Sequence, residues 1–293
     1  MEANTLRDFV ARILGWLPSH ADAVEHAVRS IELAVERRAA LVLLGDTDLA
    51  PIAHALHRRT LGTDAPFVVC DIRRSDIDES VRSPANYKNG VAGFTAATGG
   101  SLCLRYPRVP RDFSSVVALA RNLNASVRLM LIGDARWDTH PFLILPTPIR
   151  IPSLRTRMDE LPRIIDEYGH DAVVELRARE TRPREVSFTA ADRAWVLDHS
   201  PLTLPELEKT ALRLVAIKMS ENLHRAADRL GMAPVSLQRW IGRRTLPPMS
   251  AEERAELDRD LEQSFIDEEA GRLIDADDAL ADLRATPSNR RAT

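Results

Sequence analysis

Apolar residues in the first half of the chain gather in short unbroken runs. Ala40-Leu41-Val42-Leu43-Leu44-Gly45 is one. Phe67-Val68-Val69-Cys70, Ser101-Leu102-Cys103-Leu104 and Val127-Arg128-Leu129-Met130-Leu131-Ile132 follow, and Pro148-Ile149-Arg150-Ile151 is a fifth. A run that is apolar on both faces is what a parallel strand covered by helices requires. The stretches between them, about 20–38, 49–61 and 112–123, carry helical patterns. This β-α-β alternation predicts a three-layer α/β domain with a parallel sheet over residues 20–155.

The pattern then changes. After Leu154 the strand-like runs stop, and 158–178 reads as helical with a break near Gly169. Helices are predicted over 189–199, with Thr189 as N-cap, and over 203–219. Together they predict an all-α subdomain over 156–219. An amphipathic stretch from Leu6 to Leu17 predicts an N-terminal helix within residues 1–19.

Residues 220–246 stand apart. Ala226 and Ala227 are small where two helices would cross closely, and Gly231 can take the left-handed conformation of a tight turn. Pro234 suits the first position of a second helix. Leu237 and Ile241, four apart, would point to a core with Trp240 beside them. This is the spacing of a helix-turn-helix. Beyond it, Pro247-Pro248 breaks the chain, and 247–293 reads as an acidic helical tail. That tail is either a solvated segment or a docking helix that covers a basic surface.

The chain has 293 residues and a net charge of −3, so charge matters only segment by segment. From Glu221 to Thr245 the local net charge is +3, and from Ala251 to Thr293 it is −7. The two cysteines, Cys70 and Cys103, lie in strand-like runs and read as buried free thiols in a reducing compartment. No Cys/His cluster has zinc spacing, and no apolar run approaches the ~20 residues of a membrane span. No basic-apolar-small order marks a signal peptide, so a cytoplasmic location without a membrane partner is expected.

The order of these segments, from about residue 20 to 244, resembles the central AAA+ domain of NtrC-type, sigma-54-dependent activators. Val42-Leu43-Leu44-Gly45-Asp46-Thr47 looks like the strand and loop that open Walker A. Gly93-Phe94 and Gly99-Gly100-Ser101-Leu102-Cys103-Leu104 look like the approach to Walker B. Pro148-Ile149-Arg150-Ile151-Pro152-Ser153-Leu154-Arg155 with Asp159-Glu160-Leu161-Pro162 is the most specific match. The resemblance implies an AAA+-like core, then a helical lid, then a Fis-type helix-turn-helix.

The residues of ATP chemistry are missing from this frame. A phosphate loop needs glycine N–H groups, a lysine and a metal-binding hydroxyl or acid. The matching run is Gly45-Asp46-Thr47-Asp48-Leu49-Ala50-Pro51-Ile52, with Pro51 at the lysine position. Proline removes both a donor and the cation, and the bland reading is a strand-to-helix turn capped by Thr47 or Asp48. Arg105-Tyr106 replaces the two Walker B acids, and a cation cannot hold Mg²⁺. Asp134 takes the sensor-asparagine position, Asp138–Leu143 is a shortened arginine-finger segment, and Pro205 replaces the sensor arginine. The loop that contacts sigma-54 is absent between Glu79 and Gly93. Gly45, Asp46, Thr47 and Pro51 therefore form a degenerate nucleotide site, with no catalytic residue, metal or cofactor expected.

In the second helix of the helix-turn-helix, Val235, Ser236, Gln238 and Arg239 would face bases in the major groove, and Arg243 and Arg244 would suit phosphates. The expected function is a DNA-binding transcription regulator with a dead AAA+ domain, not an enzyme. It would act as a homodimer or higher oligomer, with related activators or RNA polymerase as further partners. The rivals are an active sigma-54-dependent ATPase and a scaffold that binds no DNA. The helix at 203–219, with Leu204, Leu207, Leu212, Leu214 and Ile217, is either a dimerisation element or core.

Overall fold

The computed structural model describes residues 3–37, 39–77, 84–122, 126–136, 148–177, 186–220, 222–242, 244 and 246–247. Residues 248–293 of the expected tail, the segment Asp138–Leu143, and Arg243 lie outside the described residues. In chain order the elements are α1 (Ala3–Leu14), α2 (Ala21–Glu36), β1 (Leu41–Gly45), α3 (Ala50–Leu61), β2 (Phe67–Cys70), β3 (Ala85–Asn86), α4 (Gly90–Ala96), β4 (Ser101–Arg105), α5 (Phe113–Ala120), β5 (Arg128–Asp134) and β6 (Ile149–Arg150). Five helices follow among the described residues: α6 (Leu161–Arg177), α7 (Ala190–His199), α8 (Leu204–Lys218), α9 (Leu223–Arg229) and α10 (Pro234–Ile241).

The strands form one six-stranded sheet in the order β3-β2-β4-β5-β1-β6, and every ladder is parallel. Side chains alternate across it. Leu41, Leu43, Val69, Cys103, Met130 and Ile132 face a core shared with α1, α2, α3 and the helices α6–α8. Val42, Leu44, Val68, Leu102, Leu104 and Leu131 face a second core closed by Phe94 of α4 and Phe113 and Val116 of α5. Both faces are covered, which explains why the strand sequences are apolar at consecutive positions.

The expected strands form, and the sheet gains a short sixth strand, β3, at its edge. One helix was not expected. The run Gly90–Ala96 carries no predicted element of its own, Gly93-Phe94 reading as the approach to the following strand, and each glycine costs about 1 kcal/mol against alanine in a helix. It folds as α4 because its first amides are capped twice. The Asn89 side chain accepts from the Ala92 N–H at 2.8 Å, and Asp112 accepts from the Gly90 and Val91 N–H groups at 3.0 and 2.8 Å. Burial opposes the Asp112 charge, but those backbone bonds outweigh it and hold the carboxyl below its ordinary range.

A second correction concerns Gly169. The expected break is absent, and α6 runs unbroken through it. Glycine is there to let another segment close in. A Cβ at this position would lie 2.2 Å from the Phe188 ring.

The N-terminal helix is part of the first core rather than an appendage. Arg157 is buried and donates to the α1 carbonyls of Arg12 and Ile13, both at 2.9 Å, while it pairs with Glu160 at 2.6 Å. Glu160 in turn accepts from the Trp16 N–H at 3.1 Å. The buried Arg12 reaches Asp171 and Glu167 of α6 at 2.5 and 2.9 Å. The Asp159-Glu160-Leu161-Pro162 block thus joins the helical part to both α1 and the sheet.

Thr189 caps α7 in a reciprocal box with Asp192, whose buried carboxylate also takes Lys218 at 2.6 Å. Leu204, Leu207 and Leu214 of α8 are buried in the first core. On those residues α8 is core rather than a free dimerisation face. Val215 and Ala216 on its other side pack with Ala226, Ala227 and Leu237, which fixes α9 and α10 to the body.

Candidate functional site

Two regions hold the residues singled out from the sequence. The first is a cleft of about 410 Å³ at the C-terminal ends of β1, β4 and β5. The strand order places it well for a ligand. In the strand order the chain moves from β1 toward one edge, to β2, and from β4 back toward the other, to β5. A crevice opens where neighbouring connections diverge, outside the carboxyl ends of the strands.

Gly45 ends β1, and its carbonyl accepts from the Ala135 N–H at 3.0 Å. Asp46 is exposed and Thr47 half-buried in the turn that follows, and Pro51 sits exposed in the first turn of α3. Of the two expected caps, Asp48 serves: its carboxylate accepts from the Ala50 N–H at 3.0 Å. The turn therefore closes on its own side chain. Proline in a first helical turn loses no intrahelical bond, which is why Pro51 is tolerated here.

Arg105, at the end of β4, lies across the turn. Its Nη2 donates to Asp48 at 2.9 Å, and its Nε lies 3.1 Å from Asp71 as an ion-pair contact outside hydrogen-bond geometry. Arg108 Nη1 approaches the same Asp71 oxygen at 3.9 Å. Asp71, buried just past β2, was missed in the sequence. Its partner Arg105 is far away in the chain, so no local spacing marked it. Burial works against the Asp48 charge, yet the bonds from Arg105 and Ala50 prevail and hold its carboxyl below the usual range. Burial likewise works against the Arg105 charge, and Asp48 and Asp71 outweigh it.

Asp134 closes the third side. The Arg136 guanidinium donates to it at 2.9 and 2.6 Å and the Arg136 N–H at 2.9 Å, and these bonds bring its carboxyl down to about 2. The lining therefore carries Asp46, Asp48 and Asp134 against Arg105, Arg108 and Arg136. Charge is balanced within the cleft. A triphosphate would meet carboxylates as often as guanidiniums, and Asp48 and the buried Asp71 are already paired with Arg105. Among the described residues no group of His, Cys, Asp or Glu is arranged to hold a metal ion. Cys70 and Cys103 are free, buried thiols, each pushed up to about 12 by desolvation, so neither supplies a nucleophile.

The second region is the pair α9 and α10. Ala226 and Ala227 are fully buried where the helices meet. Gly231 takes φ 59° in the turn, and Pro234 opens α10. Leu237 is buried, whereas Val235, Ser236, Gln238 and Arg239 are all exposed. Val235 is 61 % exposed. Trp240 packs edge-on against Trp195 of α7 at 6.0 Å and lies beneath Arg213 of α8 at 4.8 Å.

Arg244 departs from the expectation. Its guanidinium sits over the Trp240 ring at 5.4 Å and donates to the Trp240 carbonyl. The described face of α10 thus presents Arg239 outward and folds Arg244 back.

No helix among the described residues is long and apolar enough to cross a membrane. No known protein-family model matches this chain, and no curated protein matches it.

Proposed function

We propose that this chain is a DNA-binding transcription regulator. In this reading α9 and α10 form a Fis-type helix-turn-helix, α6–α8 are the lid, and the parallel sheet is an AAA+-type core of the sigma-54-activator kind that no longer turns over ATP. The observation that carries it is the division of α10: Leu237 is sealed in the core while Val235, Ser236, Gln238 and Arg239 stand together in solvent. That face suits the major groove, where glutamine pairs with adenine and arginine with guanine. The reading places the protein in the cytoplasm, as a homo-oligomer on palindromic sites, with related activators or RNA polymerase as further partners.

The cleft supports the inactive half of the reading. Arg105, paired with Asp48 and Asp71, stands where a magnesium–nucleotide complex would need an acid, and Pro51 stands where it would need a lysine. An ATPase reading has no residue here to carry it.

The test is selection of bound fragments from a genomic DNA pool by the full chain, followed by titration of the best site. Arg239→Ala is expected to lower specific affinity by about 1–3 kcal/mol and to relax the preference at one base position. Failure to enrich any fragment, or enrichment untouched by that substitution, overturns the reading.

A further inference from the structure

We propose that the cleft at the ends of β1, β4 and β5 is a binding site for a free α-amino acid, its carboxylate on Arg108 and its ammonium on Asp46. The inference rests on the cleft not being a phosphate site. It does not rest on DNA binding.

The charges that remain unspent point to this class. Arg105 is occupied by Asp48 and Asp71, and Asp134 by Arg136. Arg108 has only the 3.9 Å approach to Asp71, a carboxylate already shared with Arg105. Asp46 is exposed and makes no hydrogen bond or ion pair among the described residues. One carboxylate and one guanidinium are therefore left facing the same space.

A ligand matching that lining must carry both signs. A polyanion meets Asp46, Asp48 and Asp134, and a simple cation meets Arg105, Arg108 and Arg136. A zwitterion satisfies both ends without adding net charge. Guanidinium–carboxylate pairing is planar and two-pronged, which fixes orientation as well as sign.

The dimensions agree. Asp46 follows β1 and Arg108 follows β4, with β5 between them in the sheet. Two strand spacings separate the loops by about 10 Å at the backbone. The long arginine side chain reaches across part of that gap and leaves room for a small molecule. The cleft volume of about 410 Å³ lies at the low end of ligand sites. Tyr106, Ile132 and Gly133 line the wall between. That apolar wall favours an amino acid with an apolar side chain.

The experiment uses the purified full chain, screened by thermal unfolding against each of the twenty L-amino acids at millimolar concentration, then by calorimetry. The comparison probes are succinate, a simple amine, and ATP with Mg²⁺. One or more amino acids should raise the unfolding midpoint by about 2 °C or more. Asp46→Asn and Arg108→Gln, both surface changes checked for intact fold by circular dichroism, should each weaken binding about tenfold or more. The proposal is overturned if no amino acid binds, if binding survives both substitutions, or if succinate or ATP binds in the amino acid's place. DNA affinity is measured separately, so the loss of this site leaves the regulator reading standing, and the reverse.

Discussion

Arg105 Nη2 lies 2.9 Å from Asp48 Oδ2, and the same guanidinium stands 3.1 Å from the buried Asp71. One cation thereby joins the turn after β1, the end of β2 and the end of β4. Removing it strands a carboxylate that is only 6 % exposed beside one that is half in water. The buried member sets the cost, because a charge left without its partner in the interior is far more expensive than a broken surface pair. Arg105→Ala is expected to lower stability by roughly 2 kcal/mol, read as a shift of the urea midpoint at unchanged slope. Arg105→Lys should recover less than half, because a single ammonium cannot span both acids.

The joint between the two parts of the molecule carries a pH dependence. Glu208 of α8 faces Arg59 of α3, Arg12 of α1, and Asp171 and Glu175 of α6. Desolvation raises its pKa from 4.5 to about 7, with Arg59 and Arg12 opposing the rise and the two acids adding to it. A raised carboxyl pKa means the folded state holds a proton that the unfolded state releases. Its contribution is full below about 4.5 and is lost as pH climbs through about 7. The wild-type chain should therefore lose stability between pH 5 and pH 8 relative to Glu208→Gln, by on the order of 2 kcal/mol at most. Chemical unfolding of both proteins at the two pH values checks this. A gap that is constant, or that widens toward acid, refutes it.

Gly169 offers a third test. Its absent side chain makes room for the Phe188 ring, which a Cβ would meet at 2.2 Å. Alanine has the better helix propensity, by about 1 kcal/mol. Overpacking opposes it, because the ring must leave its place between α6 and the first turn of α7. The clash should win, and Gly169→Ala is expected to cost about 1–3 kcal/mol in thermal or urea unfolding. A stabilised variant would mean that Phe188 does not pack there.

Gly169 also marks where the sequence stopped being legible. Strands β1, β2 and β4 could be placed to within a residue, since apolar runs on both faces need only local reading. The turn residue Asp48 and the cap Thr189 were equally local. What failed depended on distant partners. Gly169 looks like a helix breaker until Phe188 is beside it. The run Gly90–Ala96 shows no helix until Asp112 caps it from 22 positions away. At the cleft, Pro51 in the first turn of α3 and Arg105 at the end of β4 could be placed directly. That Arg105 is held by Asp48 and Asp71 could not be read, since those residues lie in other loops. On α10 the helical period sorted Leu237 from Val235, Ser236, Gln238 and Arg239. It gave no sign that Arg244 would fold over Trp240.

Under the proposed function, that last contrast separates two arginines. Arg239 is exposed, while Arg244 is half-buried, stacked on Trp240 and bonded to its carbonyl. To reach a phosphate, Arg244 must give up a cation–π contact worth about 0.5–1 kcal/mol at such a site. It must also break a charge-assisted hydrogen bond to the helix end. Arg239 gives up nothing comparable. In titrations of a selected site at several salt concentrations, Arg244→Ala should leave the slope of log K against log [salt] within about half a unit of wild type. It should instead lower the unfolding midpoint slightly, through lost packing on Trp240. Arg239→Ala should weaken the selected site far more than random DNA, since a base contact carries sequence information and a phosphate contact does not. If the slope falls by a full unit in Arg244→Ala, the side chain swings out to the DNA backbone on binding. The stacked position would then belong to the free protein alone.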